Sequence, residues 1–165
     1  MLHLYFGSGK GKTTAAAGLA LRALGHEKKV VIVQFLKDGT SGEIEPLRRL
    51  GAAVFACPNA KFTWLMDEAD KAAAREASAR ALGQALAEPF DLLVLDEACA
   101  ALKSGILNEA LLRRAVAFAK NGREVVLTGR DPAPWLQEAA DYSTEMRAHK
   151  HPYADGVAAR EGVEY

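Results

Sequence analysis

The sequence predicts a single α/β domain over residues 1–165, a parallel sheet with helices on both faces. Three observations carry this. The length of 165 residues suits one domain with a sizeable core. Short, continuous apolar runs alternate with stretches of helical period, and strand–helix–strand alternation is the signature of a sheet covered on both sides. Polar motifs directly follow three of the apolar runs, so they fall at the carboxyl ends of strands, where such sheets bind ligands.

The elements follow in order. Residues 2–6 (LHLYF) are an apolar run that ends in a glycine loop, which reads as a buried strand. Alanines and leucines at helical spacing over 13–24 predict a helix stopped by Gly25. Residues 28–36 (KKVVIVQFL) are β-branched and continuous, a second buried strand. A short helix in GEIEPLRRLG closes at Gly51, and AAVFAC gives a third strand. Residues 67–87 predict a long helix whose Asp67–Lys71 and Glu76–Arg80 pairs stand four apart in the favourable order. Residues 90–97 (FDLLVLDE) form a buried strand, 108–120 an amphipathic helix, and 123–129 (REVVLTG) a further strand. A short helix at 132–140 has proline near its first turn, and YSTEMR supplies a last strand.

Composition narrows the partners. Lysine plus arginine balances aspartate plus glutamate at 21 each, which argues against nucleic acid, whose phosphates require a basic excess. Cys57 and Cys99 have no metal-like spacing and read as free thiols of a reducing compartment. No apolar run approaches the roughly 20 residues of a membrane span. Glycine interrupts the N-terminal apolar stretch too early for a signal peptide. The expectation is a cytoplasmic protein with no membrane partner.

The motif GSGKGKTT, Gly7 to Thr14, is the strongest chemical signal. Its glycines allow consecutive backbone N–H groups to form an anion nest, and the helix after it presents its N-terminal amides and positive dipole end to the same point. Lys12 is placed to reach phosphate oxygens, and the Thr13 hydroxyl suits Mg²⁺. The spacing departs from G-x-x-x-x-G-K-[ST], because Phe6 stands where the first glycine belongs, and Lys10 is an additional cation.

LLVLDEAC places Asp96 and Glu97 at a strand end, where a carboxylate holds Mg²⁺ directly or through water. In LTGRDPAP, Gly129 allows close backbone approach to a ligand, and Arg130 reads either as an anion partner or as a surface arginine in a turn. Phe62 and Trp64, two apart in KFTWLM, read either as aromatics anchoring a loop or as a platform for a large flat ligand. His149 and His151 lack an evident third ligand and do not make a metal site. The residues alone therefore specify a Mg-nucleotide-binding α/β domain, a description that several functions share.

Taken together, GSGKGKTTAAAGLALRALGH, VVIVQFLK, FTW, LLVLDE, VVLTGR and KHPYADGVAAREGVEY closely resemble the P-loop ATP:corrinoid adenosyltransferases, and the match runs through nearly the whole chain. The resemblance implies a parallel P-loop (RecA-like) sheet. It implies transfer of the 5′-deoxyadenosyl group of ATP to the cobalt(I) of a reduced corrinoid, with triphosphate released. ATP and the corrinoid are then substrates, Mg²⁺ (or Mn²⁺) is the cofactor, and the protein is a homodimer supplied with electrons by a flavoprotein.

The resemblance also distributes roles. Gly7, Ser8, Gly9, Lys10, Gly11, Lys12, Thr13 and Thr14 hold the nucleotide, with Glu97 and Arg130. Thr13 and Glu97 hold the metal. Lys12 stabilises the leaving group, and Phe62 and Trp64 contact the corrin and exclude the lower cobalt ligand. In the family the nucleotide lies reversed relative to ordinary P-loop enzymes, so that C5′ is presented. Family members often carry an N-terminal arm over the site; here the first strand starts at Leu2, so the arm is expected to be missing, and a tail over 151–165 is expected to cover part of the site. Two other readings of the same loop remain: a phosphotransferase or ATPase with another acceptor, and a non-catalytic corrinoid carrier.

Overall fold

The structure, a computed structural model, describes residues 1–57 and 65–163. Phe62 and Trp64 lie outside the described residues. The strands are β1 (Leu2–Phe6), β2 (Val30–Gln34), β3 (Ala53–Ala56), β4 (Leu92–Asp96), β5 (Glu124–Gly129) and β6 (Tyr142–Glu145). They form one six-stranded sheet in the order β3-β2-β4-β5-β1-β6, and every pairing is parallel. Each expected strand is present: β1 has the expected bounds, and the others are shorter than expected where the chain already turns into a loop. The helices are α1 (Lys12–Leu24), α2 (Ile44–Arg49), α3 (Glu68–Ala87), α4 (Ala98–Lys103), α5 (Glu109–Ala117) and α6 (Pro134–Ala139).

Strand alternation divides the core into two layers. On one face Val30, Ile32, Leu92, Val94 and Val126 pack against Ala16 and Ala20 of α1 and Ile44 and Leu47 of α2. On the other face Val31, Val33, Leu93, Leu95, Val125 and Leu127 pack against Ala81, Leu82 and Ala85 of α3, with Leu112 of α5 and Leu136 of α6. β2 and β4 are buried along their whole length, which is why their sequences are continuous apolar runs. Each fully buried leucine in these layers contributes about 1.5–3 kcal/mol by leaving water. Edge strand β6 is exposed throughout and reads as polar.

The ends of the long helix differ from the sequence expectation. Lys71 does not pair with Asp67. The Asp67 carboxylate instead accepts the Asp70 N–H at 2.8 Å, while the Asp67 N–H donates to the Asp70 carboxylate at 3.2 Å, a reciprocal capping box. An unpaired amide at a helix start outcompetes a solvated ion pair for that carboxylate. Lys71 turns to Glu68 at 2.8 Å, and Glu76–Arg80 forms as expected at 3.4 Å. α5 begins at Glu109 because the Asn108 side chain caps the Leu111 N–H, and its last turn tightens to a 3₁₀ helix over Phe118–Asn121. α4 was not expected; six residues carry too little periodicity to be read.

Register aligns the carboxyl ends of the strands. Gln34 stands beside Asp96, and Phe6 beside Gly129. The loops carrying GSGKGKTT, Asp96–Glu97 and Gly129–Arg130 therefore leave the sheet at one rim.

Candidate functional site

The glycine loop leaves β1 and is tied to the end of β6. The Met146 N–H donates to the Phe6 carbonyl at 2.7 Å, and the Gly9 N–H donates to the Met146 carbonyl at 2.7 Å. The Gly7 N–H donates to the Arg130 carbonyl at 3.3 Å. A Cβ on Gly7 would meet the Met146 carbonyl oxygen at 2.5 Å, and one on Gly9 would meet it at 2.8 Å. Both glycines are thus needed for close packing against a neighbouring strand end, and their amides serve the fold. The expected anion nest thereby lacks the Gly7 and Gly9 amides, and the entrance of α1 supplies others. There Gly11, at φ +108°, turns the chain into the helix, and the first-turn amides of Lys12, Thr13 and Thr14 have no intrahelical carbonyl to reach. No acidic side chain stands in that first turn, so its positive dipole end is left for an external anion.

Asp96 is the hub of the site. It is 2% exposed. Its Oδ1 accepts from the Thr13 hydroxyl at 2.8 Å and from the Thr128 hydroxyl at 2.7 Å. Its Oδ2 accepts from Lys37 Nζ at 2.7 Å and from Gln34 Nε2 at 3.4 Å. Burying a carboxylate is costly unless donors and a counter-charge surround it, and here both are supplied. Lys37 Nζ also lies 3.4 Å from the Thr13 hydroxyl. Two adjacent strands and the first turn of α1 therefore meet at one carboxylate.

Glu97 follows at φ +60°, a left-handed conformation, with its N–H donating to the Thr128 hydroxyl at 2.9 Å. Burial, and then the adjacent Asp96 carboxylate, hold its carboxyl above the usual range, against the pull of Lys37, Lys12 and Arg130. Lys12 folds across the loop, with Nζ donating to the Gly9 carbonyl at 2.7 Å. Burial lowers its pKa, Glu97 opposes that shift, and Arg130 adds to it. Arg130 is exposed at the rim of this cluster. At Gly129 the space above the Cα is filled by Cys99 of α4, whose Cβ would be 2.5 Å from an added Cβ, so close packing by itself requires the glycine. Burial pushes the Cys99 thiol up to about 12, so it is no nucleophile.

A cleft of about 840 Å³ opens over the start of α1, a size that suits a nucleotide. Lys10, Thr13, Thr14, Lys37, Glu43 and Val163 are among its walls. Val163 and Gly162 bring the C-terminal tail to the cleft, as expected from sequence. Lys12, Glu97 and Arg130 belong to the charged cluster beside these walls. Ser8 is exposed.

Thr13, Asp96 and Glu97 offer hard oxygen donors, but among the described residues no group of three or more His, Cys, Asp or Glu side chains could hold a metal by itself. That donor set fits a cation such as Mg²⁺, which keeps waters, takes phosphate oxygens and needs only one or two protein ligands. Sequence reasoning passed over Lys37, Gln34 and Thr128. All three stand at the ends of apolar strands, and that position was the only available signal.

Comparisons with known proteins identify a family. The family model described as ATP:corrinoid adenosyltransferase BtuR/CobO/CobP matches residues 1–165. A corrinoid adenosyltransferase of Pseudomonas aeruginosa is 38% identical over 100% of this chain and 83% of its own length. That of Escherichia coli K12 is 37% identical over 98% of this chain and 84% of its own. Corrinoid adenosyltransferase CobA of Salmonella typhimurium is 38% identical over the same shares. A family model that matches every residue, with relatives 37–38% identical across nearly the whole chain, places the chain in the family of ATP:corrinoid adenosyltransferases, enzymes of adenosyl transfer from ATP to a corrinoid.

Proposed function

We propose that the cleft over α1 holds the triphosphate of ATP while the adenosyl end is taken by a reduced corrinoid. The observation that carries this is the convergence on Asp96, at the α1 N-terminus, of Thr13 and Lys37, two walls of a nucleotide-sized cleft. In the reaction, the cobalt(I) electron pair forms a bond to C5′ as the C5′–O bond breaks, and the bonding pair leaves with triphosphate. No side chain needs to attack and no hydroxyl needs a base. Catalysis then consists of holding two substrates in line and stabilising a polyanionic leaving group.

Lys10, Lys12 and the first-turn amides of α1 are the groups suited to that leaving group, with Arg130 at the rim. Thr13, with the carboxylates of Asp96 and Glu97, would hold Mg²⁺ or Mn²⁺. Bound there, the ion would neutralise phosphate charge. Gly7, Gly9 and Gly11 set the course of the loop. Phe62 and Trp64 are read as the corrin-facing pair that excludes the lower cobalt ligand, which eases reduction of cobalt(II). Trp64→Ala should therefore slow reaction from cobalt(II) more than from pre-reduced cobalt(I), and equal slowing would reject that role. A cytoplasmic homodimer that takes electrons from a flavoprotein completes the reading; among the described residues no helix is long and apolar enough to cross a membrane.

The test is product analysis with ATP and a chemically reduced corrinoid. A cobalt–carbon bond with stoichiometric triphosphate is expected. ADP and orthophosphate would instead mean attack at the γ-phosphorus.

A further inference from the structure

We propose that Lys37 is a tethered stand-in for the divalent cation. In the nucleotide-free enzyme it holds the position between Thr13 and Asp96; when the metal–nucleotide enters, it yields that position and turns its ammonium onto the triphosphate. The inference rests on the reading that the metal binds at Thr13 and the adjacent carboxylates.

Three observations support it. First, Lys37 Nζ is 2.7 Å from Asp96 Oδ2 and 3.4 Å from Thr13 Oγ1, so one ammonium touches both the hydroxyl and a carboxylate to which the ion is assigned. An ammonium and a divalent cation repel strongly at such separations in a partly buried site, so occupancy by one excludes the other. Second, the two partners differ in freedom. Asp96 is 2% exposed and held by Thr13, Thr128 and Gln34, whereas the Lys37 side chain is 28% exposed and lines the cleft. The carboxylate is fixed and the lysine can retreat, and the direction of retreat is the space assigned to phosphates. Third, the backbone is bent to bring Lys37 there. β2 ends at Gln34, and Leu36 takes φ +58°, an unfavourable left-handed value for a leucine. An extended continuation would carry the lysine past the sheet rim.

The consequence is linkage. Free metal must displace Lys37 from a buried carboxylate with no compensation, whereas metal arriving with ATP supplies phosphate oxygens as a new partner for the ammonium. The enzyme should then bind metal poorly without nucleotide, and each ligand should strengthen the other.

Mn²⁺ titration followed by electron paramagnetic resonance tests this on the intact protein without turnover. Lys37→Met and Lys37→Gln, compared without nucleotide, should bind Mn²⁺ about tenfold or more tighter than the wild type, because a competing cation has been removed. Lys37→Arg, which keeps the charge, should stay near the wild type. Lys37→Gln retains a hydrogen-bond donor to Asp96 and guards against a folding defect in Lys37→Met. Both neutral variants should bind inorganic triphosphate roughly tenfold more weakly. If neither neutral variant gains Mn²⁺ affinity while ATP still recruits Mn²⁺ to the wild type, the stand-in role is wrong and the metal site stands. If Thr13→Val leaves Mn²⁺ affinity in the ATP complex unchanged, the metal site itself is misplaced and the inference falls with it.

Discussion

Thr128 links the stability of the sheet to the geometry of the site, and replacing it with valine isolates that link. Its hydroxyl donates to Asp96 at 2.7 Å and accepts the Glu97 N–H at 2.9 Å, and the residue is 0% exposed. Valine keeps the β-branched shape, so no cavity opens and strand propensity is retained. Losing a hydrogen bond to a carboxylate costs about 1.5–3 kcal/mol, and leaving a buried amide without its partner about 1–3 kcal/mol. Asp96 retains Thr13, Lys37 and Gln34 as donors, which argues for the lower half of the sum, about 3 kcal/mol. For a chain of this size that lowers Tm by roughly 6–12 °C. Thr128→Ser keeps both hydrogen bonds and loses one methyl group, at about 1 kcal/mol. Thermal and urea unfolding of the two variants decide the matter. A loss below about 1 kcal/mol in Thr128→Val, or an equal loss in Thr128→Ser, would refute the account of Asp96 as a hub that needs this hydroxyl.

The fold was legible because its signals are local. The centres of the β-branched run at 28–36 and of the apolar run at 90–97 are buried on both faces, and with helices alternating between such strands a covered parallel sheet accommodates them. The three motifs then had to share a rim, since a parallel sheet sends all its strand ends the same way. α4 escaped because six residues between a strand and a loop carry no resolvable period. The Asp67–Lys71 pair failed because a charge pattern along a helix says nothing about its unsatisfied first turn, which the same aspartate serves better.

The site was legible by residue type and opaque by partner. Lys12, Thr13 and Glu97 stand out within their own motifs, whereas Lys37 gains its meaning only from Asp96, 59 positions away. Thr128 and Asp96 are likewise 32 apart. Spacing rules report neighbours along the chain, and these contacts arise from β2 and β5 flanking β4, a strand order that no single motif encodes. The glycines show the same limit: Gly7 and Gly9 read as turning amides toward an anion and Gly129 as room for a ligand's approach, and the sequence held no sign that Met146 and Cys99 lie against their missing side chains.

Two further predictions bear on the charged cluster. Lys12→Met should lower kcat/KM for ATP about 10²–10³-fold while changing stability by less than about 1 kcal/mol, as expected for a group aimed at developing charge; a loss under tenfold in triphosphate release would reject the role. Glu97→Gln should be more stable than the wild type at neutral pH, with a sign that follows from linkage. Burial, chiefly, and the Asp96 charge raise the Glu97 carboxyl above the ordinary glutamate value of 4.5. The folded state then binds the proton more tightly than the unfolded chain, so wild-type stability falls as pH rises from about 4.5 to the folded value. Glutamine has no such dependence. The variant's advantage should vanish below that window, grow through it and level off above it. Urea unfolding across pH measures this, and a difference independent of pH would show that Glu97 is not held in the environment described.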